Sequence, residues 1–224
     1  SENIPIESTT ASIQGFGNVA EYAARKYVER GGKVIAISCW DQADSKSYTY
    51  KKASGCDIEQ LAQIKDSFGS IDKAKAKELG YEQLPGDEWI KQDVDILIPA
   101  ALENQITPAV FPNISKKVKI ICEAANGPTT PDCDPLIQER GILLLPDFLS
   151  NAGGVTCSYF EQVQCNMNYF WEKDEVLEKL EKSMTKAFRA VYDLSREKKV
   201  YMRDAAYIIA INRVANAVKL RGWV

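Results

Sequence analysis

The sequence has 224 residues, 45% of them hydrophobic and 26% charged, with a formal net charge of -3. This length can bury a sizeable core in one domain, or two at most, and the composition is that of an ordinary globular protein. The charge offers no footprint for nucleic acid or an anionic membrane. No apolar run reaches the roughly 20 residues of a membrane span and no signal-peptide pattern opens the chain, so a cytoplasmic protein is expected.

In chain order, Thr10–Gln14 forms a short strand-like run that ends in Gly15-Phe16-Gly17-Asn18-Val19-Ala20. A helical pattern follows, with Val19, Ala23 and Tyr27 spaced by four and Ala20, Ala24 and Val28 beside them, stopped at Gly31-Gly32. Lys33–Ser38 is the next apolar strand, which completes a βαβ unit in about 30 residues. Residues 41–55 are polar and turn-rich, and short helices are expected over 57–68 and 71–79. Further strands are expected at 93–98, 117–122 and 141–145, with helical stretches or turns between them. Strands apolar throughout and alternating with helices predict a parallel sheet covered on both faces. From Gly153 onward only helical periodicity remains. Leu177, Leu180, Met184, Ala187, Phe188, Val191 and Leu194 keep three- and four-residue steps, and Ile208, Ile211, Ala215 and Val218 repeat them in a final helix. The expected fold is a doubly wound, Rossmann-type α/β sheet with a helical C-terminal extension. Residues 1–150 are expected to form its core and 151–224 the extension, within one domain spanning 1–224.

Six cysteines (39, 56, 122, 133, 157 and 165) include no C-x-x-C pair, and several lie in apolar runs, so neither a disulfide framework nor a metal site is expected. The Asn113-Ile114-Ser115 sequon is read as chance. The chain has no histidine, which removes the commonest general acid–base and the commonest metal ligand together.

Gly15-x-Gly17-x-x-Ala20 is the dinucleotide fingerprint with alanine in its third position. The first glycine permits a tight turn, the second admits a pyrophosphate close to backbone, and the small third residue lets helix pack on strand. The anion then sits over the helix N-terminus. A bare turn is the alternative, but the flanking strand, helix and second strand favour the fingerprint. Asp41 lies 21 residues after Ala20, where a carboxylate for the adenosine ribose is expected, although it could also merely start a solvated turn with Asp44. With Asp41 present and no adjacent arginine, NAD is expected in preference to NADP. The ends of the later strands are small and polar: Pro99-Ala100-Ala101-Leu102-Glu103-Asn104, then Glu123–Thr130, then Asp147–Gly154. Ligands of open α/β sheets bind at such ends.

The segments QGFGNVA, PAALENQIT, EAANGPTTP, SNAGGVTCSYFE and KLRGW closely resemble the C-terminal half of hexameric glutamate dehydrogenases, from about Ala11 to the end. The resemblance implies that Gly15, Phe16, Gly17, Asn18 and Val19 hold the pyrophosphate. It places Ala100, Ala101 and Asn126 at the nicotinamide-side ribose and ring, with the Asn151 amide near the nicotinamide. Val155 would line the substrate side-chain pocket and Ser158 would bond the γ-carboxylate of glutamate. These two lie three apart, so on a helix they share a face. The implied reaction is oxidative deamination of L-glutamate to 2-oxoglutarate and ammonia, in a homo-oligomeric, hexameric full-length enzyme.

Two departures bear on that reading. Cys39 stands where many relatives carry an acidic residue, which bears on coenzyme choice. Nothing resembles the substrate domain, which in the family supplies a glycine-flanked catalytic lysine, a carboxylate-binding lysine and a catalytic aspartate. The chain is therefore expected to be a fragment or a separately expressed domain, with no catalytic residue of its own and no activity alone. Two rivals remain: a regulatory nucleotide-binding module, and a dehydrogenase for another amino acid. Ser158 speaks against the latter, since an apolar substrate side chain would leave its hydroxyl without a partner.

Overall fold

In the computed structural model, which describes residues 4–223, the glycine turn joins β1 (Thr10–Gln14) to α1 (Asn18–Glu29). Alternation along β1 divides its side chains between two faces. Ala11 and Ile13 join a buried cluster with Ala20, Ala24 and Tyr27 of α1, whereas the Ser12 hydroxyl donates to the Trp89 carbonyl at 2.6 Å. Trp89 lies in a 3-10 turn, Gly86–Lys91, and is itself buried.

The sheet has seven strands in the order β4-β3-β2-β1-β5-β6-β7. The remaining strands are β2 (Lys33–Asp41), β3 (Lys46–Lys51), β4 (Glu82–Pro85), β5 (Ile96–Pro99), β6 (Ile120–Cys122) and β7 (Leu143–Leu145). β1 runs parallel to β2 and β5, and β5 parallel to β6, which gives the expected mostly parallel α/β sheet. The chain leaves β1 toward β2 on one side and returns to β5 on the other. That reversal is the topological switch point at which open α/β sheets hold ligands.

Two strands run against the sequence reading. β3 pairs antiparallel with β2, and β4 with β3, so one edge of the sheet is antiparallel. β3 (KSYTYK) reads as polar, yet Thr49 and Tyr50 are fully buried and the Tyr50 hydroxyl donates to the Ile71 carbonyl. Because of this pairing β2 does not end near Cys39 but continues to Asp41, opposite Lys46. The later strands are shorter than expected. Asp95 bonds Thr10 through its main chain and its carboxylate, so regular pairing begins only at Ile96. The helices over 57–68 and 71–79 contract to α2 (Ile58–Gln63) and α3 (Lys73–Glu78), each capped by an aspartate, Asp57 and Asp72. α4 (Asp134–Glu139) precedes β7.

The chain divides into two compact units, the first ending at Leu143 and the second beginning at Leu144. The second unit is helical: α5 (Asp147–Ser150), α6 (Ala152–Met167), α7 (Lys173–Lys198) and α8 (Met202–Leu220). α6 stops at Asn168, in the left-handed region, and the Gln164 side chain accepts the Trp171 N–H. Phe148 packs on Tyr207, and Val191, Met202, Ala205 and Ala206 are buried. Along the apolar positions expected on the last helix, Ile208 and Ile211 are exposed whereas Ala215 and Val218 are half-buried. No disulfide joins the six cysteines, and among the described residues no helix is long and apolar enough to cross a membrane.

Candidate coenzyme site

The carboxyl ends of β1, β5 and β6 are tied edge to edge by main-chain bonds. The Ala100 N–H donates to the Gln14 carbonyl at 3.0 Å, and the Pro99 carbonyl accepts both Ala124 and Ala125 N–H groups at 3.0 and 2.9 Å. Further on, the Asn104 N–H reaches the Gly127 carbonyl at 2.8 Å. The small residues expected around one ligand at Gly15, Ala100 and Ala101 are thus adjacent, with the Ala124–Gly127 loop next to them. Asn126 stands exposed in that loop.

The two fingerprint glycines serve different ends. Gly15 has φ +98, a region L side chains rarely adopt, and its N–H donates to the Ser38 carbonyl at 2.8 Å. A Cβ there would lie 3.1 Å from the Ala101 Cβ and 3.2 Å from the Ala100 oxygen. Gly17 is extended, and a Cβ there would meet nothing within 4 Å. Gly17 is the N-cap of α1 and no side chain caps that terminus, while the first intrahelical bond is Glu21 N–H to the Gly17 carbonyl. The N–H groups of the first turn therefore have no side-chain cap and stand beside a residue without a side chain, at the positive end of the helix dipole, an arrangement that suits an anion. Asn18 and Val19 are exposed there, whereas Phe16 is buried and offers only its backbone. Ala20 is buried against the sheet, as close helix–strand packing requires.

Asp41 starts a turn with Asp44, the alternative its sequence context also offered, and its carboxylate is engaged on both oxygens. One oxygen accepts the Asp44 N–H at 2.9 Å, and the other pairs with Lys73 Nζ at 2.9 Å. Lys73 also bonds Asp44, which accepts the Tyr48 hydroxyl at 2.6 Å, and Lys73 sits over the Tyr48 ring. The bond from Lys73 holds the Asp41 carboxyl below the ordinary range and, with Asp44, raises the lysine. Nothing in the sequence signals Lys73, which lies 32 residues beyond Asp41 (73 − 41 = 32) on another element. Cys39 is buried, and burial pushes its thiol up to about 11, so it stays protonated at neutral pH.

On the sheet face opposite α1, a cavity of about 410 Å³ is lined by Gln14, Ser38, Trp40, Trp89, Leu102 and Val110. Gln14 is buried. Its Nε2 donates to Gln105 at 2.7 Å, while its Oε1 is buried without a partner. An orphaned acceptor in a cavity beside the glycine turn fits a ligand with a donor to offer. The signal for Gln14 was present in the sequence, since it alternates with Ile13 as the last residue before the turn.

In the helical unit, Asn151 is the N-cap of α6, and its main-chain N–H donates to the Asp147 carbonyl. Val155 and Ser158 both lie on α6 and both are exposed, so they share a solvent-facing side of that helix.

Residues 1–222 match the model of the glutamate/leucine/phenylalanine/valine dehydrogenase family. The chain belongs to this family. It is 44% identical over 221 residues to an NAD-specific glutamate dehydrogenase of Staphylococcus aureus (strain COL), covering 99% of this chain and 50% of the relative. An NAD-specific glutamate dehydrogenase of Clostridioides difficile is 42% identical over 220 residues, covering 98% and 51%. The crystal structure of glutamate dehydrogenase from Peptoniphilus asaccharolyticus superposes with a TM-score of 0.79 at 38% identity, covering 97% of this chain and 48% of that one. The chain spans about half the length of the curated relatives it matches.

Proposed function

We propose that this chain is the coenzyme-holding half of an NAD-dependent glutamate dehydrogenase. The observation that carries the reading is the open cradle at Gly17: an uncapped helix N-terminus, with no side chain in the way, at the switch point of a parallel sheet. The first-turn N–H groups of α1 would hold the pyrophosphate, with Gly15, Phe16, Gly17, Asn18 and Val19 forming the turn. Asp41 would accept from the adenosine ribose hydroxyls, since a carboxylate already taking two bonds retains lone pairs for more. The partnerless Gln14 Oε1 adds an acceptor on the side of the 410 Å³ cavity. Ala100, Ala101, Asn126 and Asn151 would face the nicotinamide half. When bound, the coenzyme supplies a two-electron hydride acceptor.

For substrate we read Val155 as lining the side-chain pocket and Ser158 as bonding the γ-carboxylate of glutamate. Names of the relatives above support glutamate and NAD. We assign residues 1–150 to the dinucleotide-binding core and 151–224 to the extension. In the full-length enzyme the lysine and aspartate chemistry would come from a substrate domain, and the enzyme would be a cytoplasmic hexamer. The test pairs two assays. Calorimetry should show NAD binding to this chain, and glutamate-dependent NAD reduction should appear only in the enzyme carrying both halves. A chain that binds no dinucleotide contradicts the reading.

A further inference from the structure

We infer that Lys73 sets how strongly the ribose end of this site rejects a 2′-phosphate, by compensating the paired carboxylates Asp41 and Asp44. The inference rests on the coenzyme reading above. Asp41 lines a depression of about 480 Å³ together with Lys65, Ser70 and Lys73, at the end of β2 where a ribose would lie. Asp41 and Asp44 bring two negative charges to that wall, held together by the bond from the Asp44 N–H to Asp41. Lys73 is the cation that bonds both, with Nζ 2.9 Å from Asp41 and 2.5 Å from Asp44.

The placement of Lys73 is not explained by its own helix. It is the first residue of α3, next to the N-cap Asp72, where the helix dipole disfavours a positive charge. The neighbouring Lys65 is engaged elsewhere: it pairs with Glu21 and lies over the Phe16 ring. Lys75 pairs with Asp72 at 3.7 Å. Among these three lysines only Lys73 bonds the ribose-side carboxylates. The Lys73 ammonium is part-exposed, on a four-carbon stem that can swing from a carboxylate to a phosphate.

The consequence is directional. With Lys73 present, a 2′-phosphate meets two carboxylates and one ammonium, and the ammonium can turn to it. Without Lys73, the phosphate meets two uncompensated carboxylates. A ribose hydroxyl, being neutral and a donor, is indifferent to that change or is favoured by it. Lys73 therefore softens the discrimination made by Asp41, and the preference for NAD is narrower than Asp41 alone would give.

The test is calorimetric titration of NAD and of NADP into this chain and into Lys73→Gln, with thermal melts to show that each is folded. For charges a few ångströms apart near the surface, the NADP-to-NAD dissociation-constant ratio should rise at least about tenfold in Lys73→Gln. A ratio changed by less than about twofold, or both coenzymes weakened equally as for a purely structural lysine, overturns the inference. Asp41→Asn supplies a second reading that does not depend on Lys73→Gln folding. Its ratio should move the other way, toward NADP, by about fivefold or more, and an unmoved ratio overturns the inference too. Wild-type chain that binds neither coenzyme overturns this inference and the proposed function together. NAD binding with an unmoved ratio overturns the role of Lys73 alone.

Discussion

Gly15 lies directly against Ala101 where β1 and β5 end: a Cβ on Gly15 would stand 3.1 Å from that of Ala101, with the backbone at φ +98. Gly17, two residues on, has ordinary backbone and open space. The two glycines should therefore respond differently to alanine. Gly15→Ala should lose about 1–3 kcal/mol of stability through strain and contact, and coenzyme binding with it. Gly17→Ala should stay within about 1 kcal/mol of wild type, the range of an N-cap change, while losing NAD affinity because its methyl enters the cradle. Chemical denaturation and NAD titration on the same samples separate these outcomes.

Ser158 is exposed on α6 with Val155 on the same side. If it bonds the γ-carboxylate, Ser158→Ala in the full-length enzyme should reduce kcat/KM for glutamate by an amount equivalent to about 1.5–3 kcal/mol, as for a hydrogen bond to a charged group. Unchanged kcat/KM would remove Ser158 from the substrate site.

What could be read from the sequence follows from how local each signal is. The β1–turn–α1–β2 unit is legible because its apolar periods and glycines are contiguous. β3 was not, because KSYTYK pairs on both edges and packs Tyr50 into the core, tertiary facts that its polar composition hides. Its alternating tyrosines and threonine were the available hint. Spacing singled out Asp41, but its partner Lys73 comes from a different helix and has no signature in the chain. The stripe on α8 shows the converse. Of its apolar positions, Ile208 and Ile211 are exposed while Ala215 and Val218 are half-buried, since a period says which residues share a side and not what covers them.

Asp95 should give stability a pH dependence. Burial alone would raise its carboxyl, but the Thr10 N–H and hydroxyl bonds, with Lys117 nearby, outweigh it and hold the carboxyl below the ordinary aspartate range. Folded Asp95 therefore binds its proton less readily than the unfolded chain, whose aspartates titrate near about 3.9. Its stabilisation is complete above that value and is lost as pH falls through it toward the lower folded value. Asp95→Asn should be less stable than wild type at neutral pH and should lose less than wild type on acidification. Urea midpoints across that range check this. Parallel acid profiles for the two proteins would contradict it.

The chain by itself should bind NAD weakly and oxidise no glutamate. It carries no histidine, and the lysines at the site, Lys65 and Lys73, are held in ion pairs with Glu21 and with Asp41 and Asp44. No group at that site is placed to handle the amine proton at neutral pH. Steady-state NAD reduction with glutamate, on protein shown to bind the coenzyme, is the assay. Turnover at a rate ordinary for such enzymes would place the catalytic groups within these residues.

Whether a dinucleotide sits across Gly17 at the ends of β1 and β5 decides the assignment of this site. An NMR titration of the isotope-labelled chain with NAD addresses it directly, because the main-chain N–H groups of Gly15–Ala20, Ala100 and Ala101 each report separately. Saturable shifts are expected on those groups and on Asp41 and Lys73, abolished by Gly17→Ala. No shift at millimolar NAD, or saturable shifts elsewhere with the α1 N-terminus unmoved, would contradict it.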